Sequence, residues 1–519
     1  MYMLHKSREL GFRARVFEAG SGVGGTWYWN RYPGARCDIE SLEYSFGFDE
    51  DLQQEWDWSE RYATQPEILD YAEHVADRFD LHRDMTFNTR VASARWDEAS
   101  STWTVETARV DGSGGERFTC RYVVMATGCL SSANLPDIPG RDDFAGSTYH
   151  TGHWPHDGVD FTGKRVGIIG TGSSALQAIP IIAEQADHLT VFQRTATYAV
   201  PAWNRPLSPD EVAEVKAHYA ELRKANRTTA VGYGGWRQPP ERGVLEVSDE
   251  EREAILERAW NDGGLAFLGA FTDVLIDPRG NEIVAEWVRR RIRRVVQDPK
   301  VAELLCPTQV IGCKRLCVDT GYYETFNRDN VLLIDLNATP IERIEATGIR
   351  TTAELHEFDE LIFATGFDAM TGALLKVDIT GRDGLTLQEA WSAGPRTYLG
   401  LGSVNFPNLF MITGPGSPSV LTNMLTSIQQ HVEWIGDCLV HLRDNGLTTV
   451  EAEPQAQDNW VDYVNLVAGF TLFPTCNSWY LGANVPGKTR VFMPLPGFGP
   501  YAEFCDSVAA NGYQGFALS

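Results

Sequence analysis

Residues 166–175 read V-G-I-I-G-T-G-S-S-A, an apolar run that ends in a glycine-rich loop. The loop has the pattern G-x-G-x-x-A, in which Gly170, Gly172, Ser173 and Ser174 form the turn. A helix is predicted from residue 175 onward, and residues 189–193 form a second apolar strand. Glycines at such a turn let the backbone approach a pyrophosphate, which the N-terminus of the helix then stabilises. The stretch therefore predicts a complete strand–helix–strand unit that binds a dinucleotide.

The residue after the second strand indicates which dinucleotide this unit binds. Arg194 stands nineteen residues after Ala175, at a position where an acid would contact the ribose of NAD and repel a 2′-phosphate. A guanidinium can instead bind a 2′-phosphate through two hydrogen bonds. Thr195 follows and is expected to share the phosphate, although by residue type alone Arg194 could also simply cap the strand. The unit is therefore predicted to bind NADPH.

The N-terminal region contains part of a second unit of this kind. Residues 13–18 read R-A-R-V-F-E, a strand ending at Glu18, which is the type of residue that binds an adenosine ribose. The glycine loop should lie about 20 residues before such an acid. That position falls before residue 1, so this sequence lacks the first strand and its glycine loop. We expect a mis-started reading frame, with Met1 an internal position, and weak binding of the nucleotide.

Two such units, one with an acid and one with a cation, predict two different nucleotides. FAD and NADPH are the economical pair, because a flavin can accept a hydride from a nicotinamide. The A-T-G turns at residues 126–128 and 364–366 resemble the strand-end turns of flavoproteins with two dinucleotide domains. The cofactors are therefore predicted to be FAD and NADPH.

The predicted fold class is α/β, with two dinucleotide-binding, Rossmann-like domains for FAD and NADP and a helical insertion. The FAD domain is expected to comprise residues 1–140 and 366–519. The NADP domain is expected to comprise residues 141–202 and 311–365, interrupted by a helical insertion over residues 203–310.

Composition and charge exclude several other classes of protein. The net charge of −25 disfavours binding to nucleic acid or to an anionic membrane surface. We find no signal peptide and no apolar run long enough to span a bilayer. Nine cysteines, without a C-x-x-C pair, predict a reduced cytoplasmic protein with no metal site.

Two further stretches resemble a known enzyme family. Residues 144–155 read F-A-G-S-T-Y-H-T-G-H-W-P, with Phe144, Gly146, His150, Trp154 and Pro155 at the positions of the pattern F-x-G-x-x-x-H-x-x-x-W-P. Residues 24–38 read G-G-T-W-Y-W-N-R-Y-P-G-A-R-C-D. Both stretches resemble the signatures of Baeyer–Villiger monooxygenases, and the resemblance extends over essentially the whole chain.

The resemblance implies a reaction and its participants. NADPH reduces FAD, the reduced flavin and O2 give a C4a-peroxide, and the peroxide attacks a ketone to yield an ester or lactone. By position, Arg315 is the catalytic cation and Asp38 orients it, while Lys314 helps to bind the 2′-phosphate. The further residues implied to contact cofactor are Gly25, Thr26, Trp27, Gln65 and Trp479.

Several of these residues have alternative interpretations. By residue type alone, Arg315 could be a surface arginine and Asp38 the cap of a turn. Trp27 and Trp154 could stack on a cofactor or pack in a core. His150 is interpreted as a hinge residue between the two domains rather than as an acid or base. Two alternative functions also remain, a flavin N- or S-oxygenase and a truncated, poorly active family member.

Overall fold

The structure is a computed structural model that describes residues 1–483 and 497–519. Its nucleotide-binding unit is a five-stranded parallel sheet in the order Val331–Asp335, His188–Gln193, Arg165–Ile169, Glu360–Phe363 and Ser147–His150. The predicted strand–helix–strand unit is confirmed, since helix Ser173–Gln185 connects Arg165–Ile169 to His188–Gln193. Val166 and Ile168 are fully buried, as expected for a parallel strand covered on its faces.

Smaller elements extend this unit. Strands Ile341–Glu345, Gly348–Thr351 and Leu355–Glu357 form an antiparallel sheet. Strand Ala199–Pro201 pairs in parallel with strand Cys317–Asp319, which begins two residues after Arg315. The short helix Tyr322–Thr325 lies next in the chain. The pairing of these two strands thus brings residues on both sides of the insertion together at the edge of the site.

The insertion is helical, as the sequence predicts. Its helices are Pro209–Ala217, Tyr219–Asn226, Asp249–Asp262, Pro278–Val295 and Pro299–Leu305. Ser208 begins the first of them through a capping box with Glu211. Helix Pro278–Val295 packs its apolar face into the same core as the nucleotide-binding sheet.

The remaining elements come from both ends of the chain. The helices are Tyr2–Glu9, Thr26–Trp29, Glu50–Glu55, Gln65–Arg78, Gly372–Leu375, Leu387–Ala390, Met424–Asp444, Pro454–Gly469 and Phe498–Ala510. Strands Asp378–Thr380, Thr89–Asp97, Thr102–Arg109 and Arg117–Cys120 form one sheet, and Val450–Ala452 pairs with Phe516–Leu518. A second large core joins N-terminal residues to helix Met424–Asp444 and to Phe498–Ala510.

The strand that ends at Glu18 has one partner among the described residues. Strand Val16–Phe17 pairs in parallel with Met85–Thr86, and strand Val123–Met125 pairs in parallel with Leu409–Met411 in a separate sheet. The overall class is α/β, as predicted. Within the described ranges, no helix is both long and apolar enough to cross a membrane.

Candidate active site

A paired arginine and aspartate form the centre of the site. Arg315 donates through Nε to Asp38 Oδ2 at 2.6 Å and through Nη2 to Oδ1 at 2.7 Å. Its Nη1 donates to the carbonyl of Val420 at 2.6 Å. The two residues are 277 positions apart in the chain, and both are half-buried. The structure therefore brings together the two residues to which the family resemblance assigns the reaction.

This environment keeps Arg315 charged and in a fixed orientation. Burial alone would lower the pKa of Arg315, but the Asp38 carboxylate more than offsets it and raises this pKa well above its ordinary value. Three of the five guanidinium donors are used by Asp38 and Val420. The remaining donors can stabilise negative charge that develops on a bound molecule.

Two tyrosines that sequence reasoning did not assign to the site lie beside the guanidinium. Burial raises the pKa of the Tyr480 phenol to about 12, and the charges of Arg315 and Asp38 also act on it. Burial also raises the pKa of Tyr233, which comes from the helical insertion and interacts with Arg315 and Asp38. Both phenols therefore stay protonated near neutral pH, and their rings make the surroundings of Arg315 less polar. No local pattern marks Tyr233, which lies between two helices of the insertion.

The segment that contains Asp38 is attached to the nucleotide-binding helix. Tyr32 donates to Gln177 Oε1 at 2.9 Å, and Gln177 Nε2 donates to the carbonyl of Arg36 at 3.1 Å. Gly34 has φ +76°, and a Cβ there would lie 2.4 Å from the carbonyl oxygen of Gln177. Only glycine fits this close approach. These contacts place Asp38 at the junction of the two nucleotide-binding units.

The start of the same segment is open to solvent. Gly25 and Thr26 are exposed, and the short helix Thr26–Trp29 begins at Gly25. Trp27 is half-buried and packs against the second large core, while Gln65 donates to its carbonyl. Glu18 is half-buried at the end of its strand, where its carboxylate accepts from the Gly20 N–H at 2.7 Å.

The glycine loop of the second unit has the geometry of a phosphate cradle. Gly170 has φ +114°, and a Cβ there would lie 2.4 Å from the carbonyl oxygen of Ala364. Gly172 is exposed and has open space around it. It directly precedes helix Ser173–Gln185, and no side chain caps the N-terminus of this helix. Ser173 is also exposed, and Ser174 Oγ accepts from Thr151 at 3.3 Å. The first N–H groups of this helix are thus available to an anion.

Two cations lie beside this cradle. Burial and the nearby charge of Arg194 both lower the pKa of Lys314, so the two cations lie close together. Neither has a carboxylate partner among the residues that the structure describes. Thr195 is connected to the glycine loop because its carbonyl accepts from Thr171 Oγ1 at 2.8 Å. Two neighbouring cations without an anion are an electrostatically unfavourable arrangement that a phosphate would relieve.

The 144–155 stretch connects the sheet to the Asp38 segment. Phe144 packs in a core beside the sheet, and a Cβ at Gly146 would lie 2.4 Å from the carbonyl oxygen of Asp359. Trp154, followed by Pro155, is 3% exposed in the large core, so the packing interpretation of Trp154 is confirmed. The Trp154 N–H donates to the carbonyl of Trp29 at 3.4 Å.

His150 is buried in this stretch and neutral near pH 7. Its Nδ1 accepts from the Gly152 N–H at 2.9 Å, and its Nε2 lies 3.4 Å from Thr365 Oγ1. Burial, and secondarily His153, lower the pKa of His150 to about 4. A neutral, hydrogen-bonded histidine fits a structural or hinge role better than that of an acid or base at neutral pH.

Trp479 lies in a short turn next to Tyr480, with the two ring centroids 4.3 Å apart. The turn packs against Cys129, Met370 and Phe473. The turn is therefore packed against the protein core, and it contributes Tyr480 to the candidate site. Residues 484–496, which follow this turn in the sequence, lie outside the described residues.

The expectation of a fully reduced chain is wrong in the structure, which joins Cys313 to Cys476 by a disulfide. The seven remaining cysteines are free. A separation of 163 residues gives no sequence pattern that could reveal this pair. Among the described residues, no group of three His, Cys, Asp or Glu side chains could hold a metal ion.

Comparison with known proteins places the chain among flavin enzymes. A family model described as pyridine nucleotide-disulphide oxidoreductase matches residues 38–233. A Baeyer–Villiger monooxygenase of Pseudooceanicola batsensis is 43% identical, with 99% of this chain and 93% of that protein covered. A phenazine N-monooxygenase of Lysobacter antibioticus is 42% identical, with 100% of this chain and 95% of that protein covered. The expected mis-started reading frame is not borne out by these matches.

The fold agrees with a solved structure over its whole length. An oxidized steroid monooxygenase bound to NADP has a TM-score of 0.94 and 53% sequence identity, with 100% of this chain and 97% of that chain covered. High identity over nearly full length, together with the Arg315–Asp38 pair and both signature stretches, confirms the family expected from the sequence. The chain belongs to the Baeyer–Villiger monooxygenases, flavin enzymes that insert one oxygen atom of O2 beside a ketone carbonyl.

Proposed function

We propose that this chain oxidises a ketone to an ester or lactone with Arg315 as the fixed cation of the reaction. The observation that carries the proposal is the three-point attachment of Arg315 to Asp38 and Val420, which holds a charged guanidinium in a half-buried site. A cation held in place before the reaction stabilises an oxyanion without reorganising. Asp38 is a positioning residue in this account, because its carboxylate contacts Arg315 rather than the reacting atoms.

The chemistry also requires two cofactors. Arg194, Lys314 and the uncapped helix at Gly172 fit the phosphates of NADPH. The residues around Trp27 and Arg315 fit the flavin end of FAD. NADPH supplies the hydride, and the flavin transfers electrons to O2. The protein's part is to bind, to orient and to exclude water from the site.

The buried phenols contribute to water exclusion. Tyr233 and Tyr480 stay protonated beside Arg315 because burial raises the pKa of each. A dry site protects a reactive oxidant and strengthens the interaction of Arg315 with developing charge. His150 is neutral near pH 7, so we assign it no proton transfer and retain the hinge role.

We propose the domain division that the sequence predicts, with FAD held by residues 1–140 and 366–519 and NADP by residues 141–202 and 311–365. The two large cores support it, because one is built around the nucleotide-binding sheet and the other joins both ends of the chain. We also propose a cytoplasmic location, since the coenzyme implied by Arg194 and Lys314 is NADPH. Both assignments rest on this proposed use of the cofactors.

Bulky ketones are the proposed substrates. The support is the 53% identity to a solved steroid monooxygenase, which exceeds the 42% and 43% identities to two solved cyclohexanone monooxygenases. The alternative function is N-oxygenation. It is the activity named for the relative at 42% identity, and a nucleophilic nitrogen can take oxygen from the same kind of oxidant.

The proposed function is tested by product analysis with FAD, NADPH and ¹⁸O2. A steroid methyl ketone and cyclohexanone are compared with a phenazine and an aryl sulfide. We expect an ester or lactone that carries one ¹⁸O atom, with faster turnover of the steroid. An N-oxide as the main product, with neither ketone converted, would contradict the proposal. Faster turnover of cyclohexanone would overturn the preference for bulky ketones alone.

A further inference from the structure

The disulfide joins two segments that meet at the candidate active site. Cys313 directly precedes Lys314 and Arg315, and Cys476 lies three residues before Trp479. The Cα atoms of the two cysteines are 6.1 Å apart although 163 residues separate them in the chain. One covalent bond therefore connects the loop of the catalytic cation to the segment that supplies Tyr480.

The Cys313 side of this bond is rigid. Asn281, which is 2% exposed in helix Pro278–Val295, donates to the carbonyl of Ile311 at 3.0 Å and accepts from its N–H at 3.1 Å. Gly312 lies against Leu275, since a Cβ there would approach that side chain to 2.6 Å. Cys313 itself is 2% exposed. This loop is therefore fixed to the insertion whether or not the disulfide is present.

The Cys476 side is more accessible. Cys476 is half-buried, and its neighbours Thr475 and Asn477 are exposed. The Leu472 N–H donates to the carbonyl of Leu275 at 2.8 Å, and beyond it residues 473–483 consist of two short turns. Phe473 and Tyr480 are buried, so packing and the disulfide together hold this segment, and its lack of a longer helix or strand lets it open locally when the cross-link is removed. The disulfide thus holds residues 472–483, here called the Tyr480 segment, against a rigid base.

The other cysteines near the site are poor candidates for oxidation. Cys37, Cys129 and Cys317 are buried, and burial raises the pKa of each thiol, that of Cys317 to about 12. A protonated, buried thiol reacts slowly with oxidants. A redox change at the site is therefore confined to the Cys313–Cys476 pair.

We propose that Cys313 and Cys476 form a reversible thiol–disulfide switch that controls the mobility of the Tyr480 segment against Arg315. The oxidant is hydrogen peroxide, which the enzyme itself releases when electrons pass from NADPH to O2 without reaching a ketone. This source rests on the proposed function. The switch would slow the enzyme when ketone is scarce and coenzyme is being wasted.

The chemistry balances in two steps. The Cys476 thiol attacks peroxide, breaking the O–O bond, and gives a sulfenic acid and one water. The Cys313 thiol then displaces the hydroxyl from that sulfur, forming the S–S bond and a second water. Two thiols are oxidised by two electrons and one peroxide is reduced to two waters. A dithiol reductant reverses the change by thiol–disulfide exchange.

The experiment uses the FAD-loaded full chain, reduced with dithiothreitol, freed of it, and then treated with graded hydrogen peroxide. Peptide mapping without reduction measures the Cys313–Cys476 link, and hydrogen exchange measures the mobility of the Tyr480 segment. We expect oxidation to form the link, to slow exchange in that segment and to lower kcat for the ketone about tenfold, because product release needs the segment to move. Dithiothreitol should restore all three properties.

Two variants provide the controls. Cys476→Ser should keep the kcat of the reduced enzyme and lose its response to peroxide. Cys120→Ser removes a half-buried thiol outside the pair and should respond like the parent. The proposal is overturned if the link forms without changing exchange or kcat, if no link forms, or if Cys476→Ser still responds. A reduced enzyme that converts no ketone would instead reject the proposed function, since the mapping and exchange measurements do not depend on turnover.

Discussion

Replacing Arg194 by alanine should change coenzyme preference by an amount that the structure allows to be worked out. A charge-assisted contact to the 2′-phosphate contributes about 1.5–3 kcal/mol, which corresponds to about 10- to 150-fold in affinity. Lys314 remains beside the site in this variant. Removing Arg194 also removes a like charge that lowers the pKa of Lys314, so the remaining lysine keeps its positive charge more firmly beside the phosphate. We therefore expect a loss near the lower limit, about tenfold.

The assay is the ratio of kcat/KM for NADPH to that for NADH, measured at constant ionic strength with a saturating ketone. The loss should fall on NADPH alone and appear mainly in KM, because NADH carries no 2′-phosphate. Arg294→Ala, which removes an exposed arginine of the insertion, is the matched control and should leave the ratio unchanged. An unchanged ratio in Arg194→Ala, or an equal loss for both coenzymes, would refute the reasoning.

Two other outcomes follow from single residues of the site. The pKa of His150 is lowered from its ordinary 6.5 to about 4, so its neutral form contributes stability that is present above pH 6.5 and is lost as the pH falls through 4. His150→Gln should flatten that part of the melting-temperature profile, and an unaltered profile would contradict this origin. Gly170→Ala should destabilise the fold, because its Cβ meets the Ala364 carbonyl at 2.4 Å, whereas Gly172→Ala should fold normally; equal thermal melts for the two variants would show that the argument is wrong.

The parts of the fold that could be predicted are those that show a recognisable pattern within a short stretch of sequence. The glycine loop at Gly170 and Gly172 lies between an apolar strand and a helix, and the structure has both where the sequence predicts them. The roles of Arg315 and Asp38 follow only from the family resemblance, because a separation of 277 positions hides their pairing from any local argument.

Long-range contacts account for what sequence reasoning missed. Tyr233 belongs to the helical insertion and interacts electrostatically with Arg315. Cys476 is bonded to Cys313, from which it is separated by 163 positions in the sequence. The helical spacing of the arginine-rich residues 289–294 predicts a solvated helix face, yet Arg289 is 8% exposed and bonds to Tyr198 and to two glutamates. Each of these depends on which elements pack together, and periodicity along one element does not carry that information.

The central claim, that Arg315 is the fixed cation of ketone oxidation, is tested most directly by Arg315→Ala measured with FAD bound and NADPH saturating. Removing one preorganised charge typically lowers the rate about 100- to 1,000-fold. The account predicts that ester formation falls by such a factor while NADPH still reduces the bound flavin, so that hydrogen peroxide replaces the ester as product. Ester formation at the parent rate in the flavin-loaded variant would contradict it.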